Sequence, residues 1–187
     1  MDRSDRQLVN DYLAGNKESL EVLFERNLKA IYSFVCRYVG NAYDAEDITQ
    51  ESFVKAWRNI KKFDQNKNFK TWIFAIAKNT ALDFLKKKKT IPFSTFDDID
   101  GNNVVTDMLV DTALIPSELL EHKDIASTLA SAMENLSPSH RAVLFLRYND
   151  HFTFREIAES LCEPLHTIKS QHWRALIKLK KLLTEQG

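Results

Sequence analysis

Three segments of the chain carry residue types whose spacing suits recognition of charged polymers. The first runs from Thr153 to Lys181. Thr153-Phe-Arg-Glu156 matches a capping box, and Ile157, Ala158 and Leu161 follow at helical spacing. Cys162-Glu163-Pro164-Leu165 breaks that pattern, and a basic helix is expected from about Thr167 to Leu183. A short capped helix, a tight turn and a basic helix make helix-turn-helix spacing, in which the second helix enters the major groove. Ile168, Leu176, Leu179 and Leu183 form the expected inward stripe, leaving Lys169, Ser170, Gln171, Trp173, Arg174 and Lys178 on the other faces. Lys and Arg neutralise phosphates, while Gln and Arg can pair with adenine and guanine edges. The plainer alternative is an amphipathic helix whose C-terminal cations answer its dipole.

The second segment is Asp64–Lys89. Asn66, Lys67, Asn68, Phe69, Lys70 and Trp72 precede Lys78, Asn79 and a lysine run from Lys86 to Lys89. Unpaired bases need aromatic or amide partners and their backbone needs cations, and here the two are interleaved. Against this, aromatics such as Trp72 and Phe84 at helical spacing also make ordinary core. The third segment, Asp44-Ala-Glu46-Asp47-Ile-Thr-Gln50-Glu51, opens a helix with acids that its dipole favours. Asp47, Gln50 and Glu51 continue the polar face and suit a basic protein partner; taken alone they would be a solvated surface. No GxxxxGK, HExxH, GxSxG or cysteine-rich ligand set occurs, so neither a cofactor nor a metal is expected. Cys162, His166 and His172 have irregular spacing for a metal site.

These segments need helices to position them, and helical periodicity runs through most of the chain. Ser4 and Gln7 form a capping-box pair ahead of a short first helix. Leu20, Leu23, Phe24, Leu28, Ile31, Phe34, Val35 and Tyr38 trace a second, ended by Gly40-Asn41. Ala45, Ile48, Phe53, Ala56, Trp57 and Ile60 mark a third, and Trp72, Ile73, Ile76, Ala77, Phe84 and Leu85 a fourth from about Phe69 to Lys89. Four such helices can close a small bundle. Periodicity then fails from Thr90 to about Ser117, a length uncommon for a loop inside one domain. It resumes near Glu118 through Leu119, Ile125, Leu129, Met133 and Leu136, and Ser137-Pro138 restarts it as N-cap and first helical residue. The expected fold is all-α: two small helical domains, 1–89 and 118–187, joined by a long acidic linker, 90–117.

Charge follows the same division. The 187 residues hold 26 Lys/Arg and 26 Asp/Glu, so the formal net charge is zero. Residues 1–89 carry 17 Lys/Arg against 12 Asp/Glu, residues 90–123 carry one against seven, and residues 164–187 carry five against one. Two basic surfaces flanking an acidic connector can engage phosphate in two places while the total cancels. Cys36 and Cys162 imply no disulfide framework, and no apolar run approaches the roughly 20 residues needed to span a bilayer. The charged N-terminus lacks a secretory core, and a cytoplasmic protein is expected.

Taken together, the three segments resemble the extracytoplasmic-function sigma factors of the sigma-70 family. DAEDITQESFVKAW is similar to the family's helix that docks on the RNA polymerase clamp. FKTWIFAIAKNTALDFLKKKK resembles its promoter-melting and −10 recognition helix. LSPSHRAVLFLRYNDHFTFREIAESL with PLHTIKSQHWRALIKLKKLL resembles its −35 domain. The resemblance implies that the chain binds core RNA polymerase and promoter DNA, recognises −10 and −35 elements, helps melting, and has an anti-sigma protein among its partners. It implies no enzymatic activity of the chain itself, since the polymerase makes the bonds. By position, Asp44, Glu46, Asp47, Gln50 and Glu51 would contact polymerase. Gln65, Asn66, Lys67, Asn68, Lys70, Trp72 and Asn79 would hold the −10 strand. Arg147, Arg155, Thr167, Lys169, Ser170, Trp173 and Arg174, with Gln171, would hold −35 DNA. Cys162 and His166 stand where the family usually has glycine, and His172 where it usually has an apolar core residue. The rival reading is a DNA-binding regulator with an N-terminal helical sensor; it leaves the acidic helix and the Trp-Lys helix without a role.

Overall fold

The computed structural model describes residues 3–90 and 128–185, and every regular element among them is helical, as the periodicity requires. The N-terminal half holds α1 (Asp5–Leu13), α2 (Glu18–Val39), α3 (Ala42–Asn59), a 3-10 turn (Ile60–Lys62) and α4 (Phe69–Thr90). The C-terminal half holds helical residues 128–134 (α5), α6 (Pro138–Tyr148), α7 (Phe154–Leu161) and α8 (Leu165–Glu185). The expected helix start near Glu118 and nearly all of the acidic connector lie outside the described residues.

Local chemistry sets the helix ends. Ser4 Oγ accepts the Gln7 N–H at 3.3 Å while Gln7 Oε1 accepts the Ser4 N–H at 2.8 Å, closing the first capping box. Thr153 and Glu156 repeat it at 3.2 and 2.8 Å. Asn41 caps α3 through the Asp44 N–H, and Ser137 caps α6 with Pro138 in its first turn. Each such cap contributes about 1 kcal/mol. Gly40 ends α2 at φ 78°, where a residue with a Cβ would be strained.

Within the N-terminal half, α2, α3 and α4 bury Leu23, Ile31, Phe34, Ile48, Ala56, Ile73, Phe74 and Ala77 against Leu8 and Val9 of α1. In the C-terminal half, Val143, Leu146, Ile157 and Ile168 pack together, and Leu136, Leu144 and Ala175 form a smaller cluster with Met133, Leu179 and Leu182. The inward row of α8 therefore differs from the expected stripe. Leu176 is exposed, Ala175 is buried in its place, and Leu179 and Leu182 pack half-buried beside it, because the row 168–175–179–182 is the one that faces α6. Leu28 and Trp57, read as apolar packing positions, are 49% and 53% exposed. The halves also touch: α6 packs on α2, α7 packs on α4, and buried side chains run as one cluster across the junction.

His172 packs where an apolar residue was expected. Its Nε2 lies 3.1 Å from the Tyr148 hydroxyl, its ring stacks on Tyr148 at 5.8 Å, and the Phe154 ring meets it edge-on at 5.0 Å. Burial, with the Arg147 guanidinium nearby, pushes its pKa below the ordinary 6.5. His140 is shifted the same way by burial, then Lys178 and Arg174. A histidine with a depressed folded pKa stabilises the fold above its unfolded pKa and loses that contribution as pH falls through the two values. Thermal stability should therefore fall as pH drops below about 6.5. His172→Leu should flatten part of that fall in pH-dependent melting curves.

Cys162 ends α7 in the left-handed region, φ 52° and ψ 43°, with the Glu163 N–H donating to the Ala158 carbonyl at 3.0 Å. A side chain there costs about 1–2 kcal/mol, part of which glycine's greater unfolded freedom offsets. Cys162→Gly should raise stability by up to about 1 kcal/mol, measured by urea denaturation.

Candidate functional site

The acidic helix presents its face as expected, with two additions. On α3, Glu46, Asp47, Gln50 and Glu51 are exposed, whereas Asp44 is half-buried and paired with Lys88 of α4 at 2.8 Å. Glu51 meets Lys55 at 2.8 Å one turn on. Spacings of three and four residues put Tyr43 and Val54 on the same side as Asp47 and Gln50, and both are exposed large side chains. The surface is thus carboxylates and an amide bracketed by two exposed apolar side chains. Trp57, at the far end, donates its indole N–H to the Tyr12 hydroxyl at 3.2 Å.

The polar loop before α4 is built by its own side chains. Asp64 Oδ1 accepts the Asn66 N–H at 3.0 Å, and Asn68 Oδ1 accepts the Lys70 N–H at 2.8 Å. Asn68 therefore caps α4 as well as standing at the surface. Asn66, Lys67 and Asn68 are exposed, and Gln65 is half-buried. Trp72 is half-buried in an aromatic group, 4.9 Å from Phe63 and 5.6 Å from Phe69, so it is at once core and partly accessible. Asn79, two turns beyond Trp72, is exposed on the same helical row. Lys70 is engaged: Asp150 of the other half lies 3.3 Å from its ammonium.

On α8, Lys169, Trp173 and Arg174 are exposed, Trp173 at 65%, and Thr167 and Ser170 are half-buried beside them. Arg155 is exposed on α7. Two residues of the expected set have other partners. Gln171 is half-buried and donates to Glu163 Oε2 at 2.7 Å. Arg147 donates to the Phe152 carbonyl at 2.8 Å with its guanidinium 4.9 Å above the Phe154 ring, which fixes the turn into α7. Sequence reasoning missed Tyr43, Val54 and Asp150. The first two were visible as apolar residues at the spacing of the acidic face; Asp150 carried no signal, because its partner is 80 residues away.

Among the described residues no cluster of His, Cys, Asp or Glu is placed to hold a metal ion, and no helix is long and apolar enough to cross a membrane. Both cysteines are free, Cys36 buried and Cys162 exposed.

Comparison with known proteins agrees with this layout. Residues 23–91 match the Sigma-70 region 2 family model and residues 132–181 match Sigma-70, region 4. The chain is 29% identical over 188 aligned positions to the ECF RNA polymerase sigma factor SigW of Bacillus subtilis (strain 168), covering 99% of this chain and all of that protein. It is 30% identical to an ECF RNA polymerase sigma-E factor of Salmonella typhimurium (strain LT2), over 92% of this chain and 90% of that one. A solved structure of CnrH in complex with the cytosolic domain of CnrY shares the fold, with TM-score 0.67 and 23% identity over 98% of this chain and 99% of that one. Two helical units matched in this order, with full-length relatives, make the chain a member of the ECF sigma factors of the sigma-70 family, acting with RNA polymerase in promoter-specific transcription initiation.

Proposed function

We propose that the work of initiation is divided among three surfaces, and that the division follows the halves of the chain. The observation that carries this reading is that three exposed polar faces, on α3, on the loop before α4 and on α8, lie inside the two matched segments in the order a sigma factor needs them. Residues 1–89 act as the polymerase-binding and −10 unit and residues 118–187 as the −35 unit, with 90–117 as connector. The chain itself makes and breaks no bonds and works in the cytoplasm, where the polymerase is. The sigma factor RpoE of Bartonella quintana was solved in complex with the anti-sigma factor NepR, and an anti-sigma protein is a partner of this chain as well.

Polymerase docks on Glu46, Asp47, Gln50 and Glu51, with Asp44 held back by Lys88. Removing carboxylates that meet basic residues weakens an interface, and reversing their sign adds repulsion. Asp47→Lys with Glu51→Lys should abolish co-elution with core polymerase while circular dichroism stays unchanged. Retained assembly would remove α3 as the docking face.

Gln65, Asn66, Lys67, Asn68, Trp72, Asn79 and Lys70 hold the −10 strand once it is unpaired. Arg155, Thr167, Lys169, Ser170, Trp173 and Arg174 face closed −35 DNA, with Arg147 and Gln171 supporting the geometry from behind. Because Asn68 caps α4, its substitution would mix stability with recognition; Asn66 and Asn79 avoid this. Asn66→Ala with Asn79→Ala should impair opening of duplex promoters far more than transcription from a pre-melted bubble. Lys169→Ala or Arg174→Ala should weaken −35 engagement by about 1–3 kcal/mol wherever the side chain pairs with a base edge. Permanganate footprinting on duplex and bubble templates compares the two sets, and a loop variant that opens promoters normally would refute the division.

A further inference from the structure

The outward face of α8 is not uniformly polar. Trp173 and Ile177 are 65% and 50% exposed, more than any other large apolar side chain of that helix. They stand one turn apart, at the spacing where helical side chains meet, and opposite the buried row through Ile168 and Ala175. At about 100° per residue, Lys169 and Lys180 fall on one side of this apolar strip and Arg174 and Lys178 on the other. All of these cations are exposed. Between Leu165 and Thr184 the helix carries no Asp or Glu to answer them, not even in its first turn, where its dipole would favour an acid. The face is thus a strip of indole and branched aliphatic surface with positive charge along both edges.

Such a face suits a partner that is anionic along two edges and apolar at one place between them. The major groove of duplex DNA has that form, with phosphate rows bordering a channel about 12 Å wide. Its floor is otherwise polar: guanine and adenine present N7 with O6 or N6, and cytosine presents N4. The one apolar group on it is the 5-methyl of thymine. We infer that Trp173, with Ile177 beside it, reads a thymine 5-methyl group in the −35 duplex, while the flanking cations hold the two phosphate rows. The inference rests on the assignment of α8 to −35 DNA. Phosphates are alike at every base pair, so the cations position the helix without telling one sequence from another. The indole adds the discrimination. Another base at that place would press a polar edge against the ring and bury it without a hydrogen-bond partner, so the ring selects against the wrong base as well as for thymine.

The test uses holoenzyme assembled from the full chain and core polymerase, on a promoter where it initiates. Each −35 thymine, on either strand, is replaced in turn by uracil, which removes the methyl group and keeps every hydrogen-bonding atom. At one position the replacement should weaken promoter binding by about fourfold, the ratio that burial of one methylene-sized group gives. Trp173→Ala should bind the thymine and uracil duplexes equally, a result that general loss of affinity would not produce. Lys169→Ala should weaken binding to both duplexes and keep their ratio. Equal binding of the chain without substitutions to every uracil duplex overturns the methyl contact. A uracil penalty that persists in Trp173→Ala assigns the effect to DNA shape and overturns it too. The assignment of α8 to −35 DNA fails separately, when Lys169→Ala and Arg174→Ala both leave promoter binding unchanged.

Discussion

The structure depends on α4 burying apolar surface against two different sets of neighbours while keeping a polar row free. Phe74 is the pivot: fully buried, with Phe34 of α2 at 5.2 Å on one side and Phe152 at 5.2 Å on the other. Ala77 and Ala81 are also fully buried, and their small side chains let helices approach closely. A single helix thus serves the N-terminal core, the junction with α7 and the surface carrying Asn79. This leaves little room for variation along α4, where even a hydroxyl has two assignments. Thr80 Oγ1 donates to the Ile76 carbonyl at 2.9 Å and accepts from Lys55 of α3 at 3.2 Å.

Electrostatics at the junction between the halves follow from the same packing. The formal charges of the chain cancel, but the cancellation is local in places that matter: Lys70 against Asp150, Lys88 against Asp44. The Lys88 pair is exposed on one side and worth little energetically, about 0–1 kcal/mol. The Lys70 pair lies deeper, and its value is opposed by the desolvation of Asp150. Internal carboxylates therefore occupy cations that would otherwise face solvent. Salt weakens such pairs, the exposed Lys88 pair more than the deeper Lys70 pair.

Caps and helices were legible in the sequence because they are local. Ser4 with Gln7, Ser137 with Pro138, and Thr153 with Glu156 each satisfy backbone donors within a turn, and the structure uses all of them, while Asn41, read only as part of the stop after α2, also caps α3. The acidic face of α3 and the exposed cations of α8 were legible for the same reason, since helical spacing assigns faces. What failed was the choice between neighbouring rows. Leu176 and Ala175 differ by one residue, and only the position of α6 decides which turns inward. Trp57 looked like core by composition, but Tyr12 gives its indole a polar partner at the surface. The resemblance gave Arg147 a place beside DNA, and hydrogen-bonding capacity gave Gln171 one; the contacts with a carbonyl and a carboxylate that tertiary packing delivers to them carried no local signal.

His172 shows how a departure from an expected pattern can be absorbed. A histidine in a row that usually packs apolar groups would leave a buried polar nitrogen, unless a partner reached it. The Tyr148 hydroxyl does so at 3.1 Å, and the two rings stack, so the imidazole contributes apolar area with one nitrogen satisfied. Burial, and then the Arg147 charge nearby, favour the neutral ring, which is also the form that stacks without added repulsion. Arg147 is itself fixed by the Phe152 carbonyl and the Phe154 ring. The turn that carries Asp150 and Phe152 to α4 is thereby tied to the packing of α8. A chain of contacts, His172 on Phe154, Phe154 under Arg147 and Arg147 on the Phe152 carbonyl, thus runs from α8 to the residue that meets Phe74 of α4.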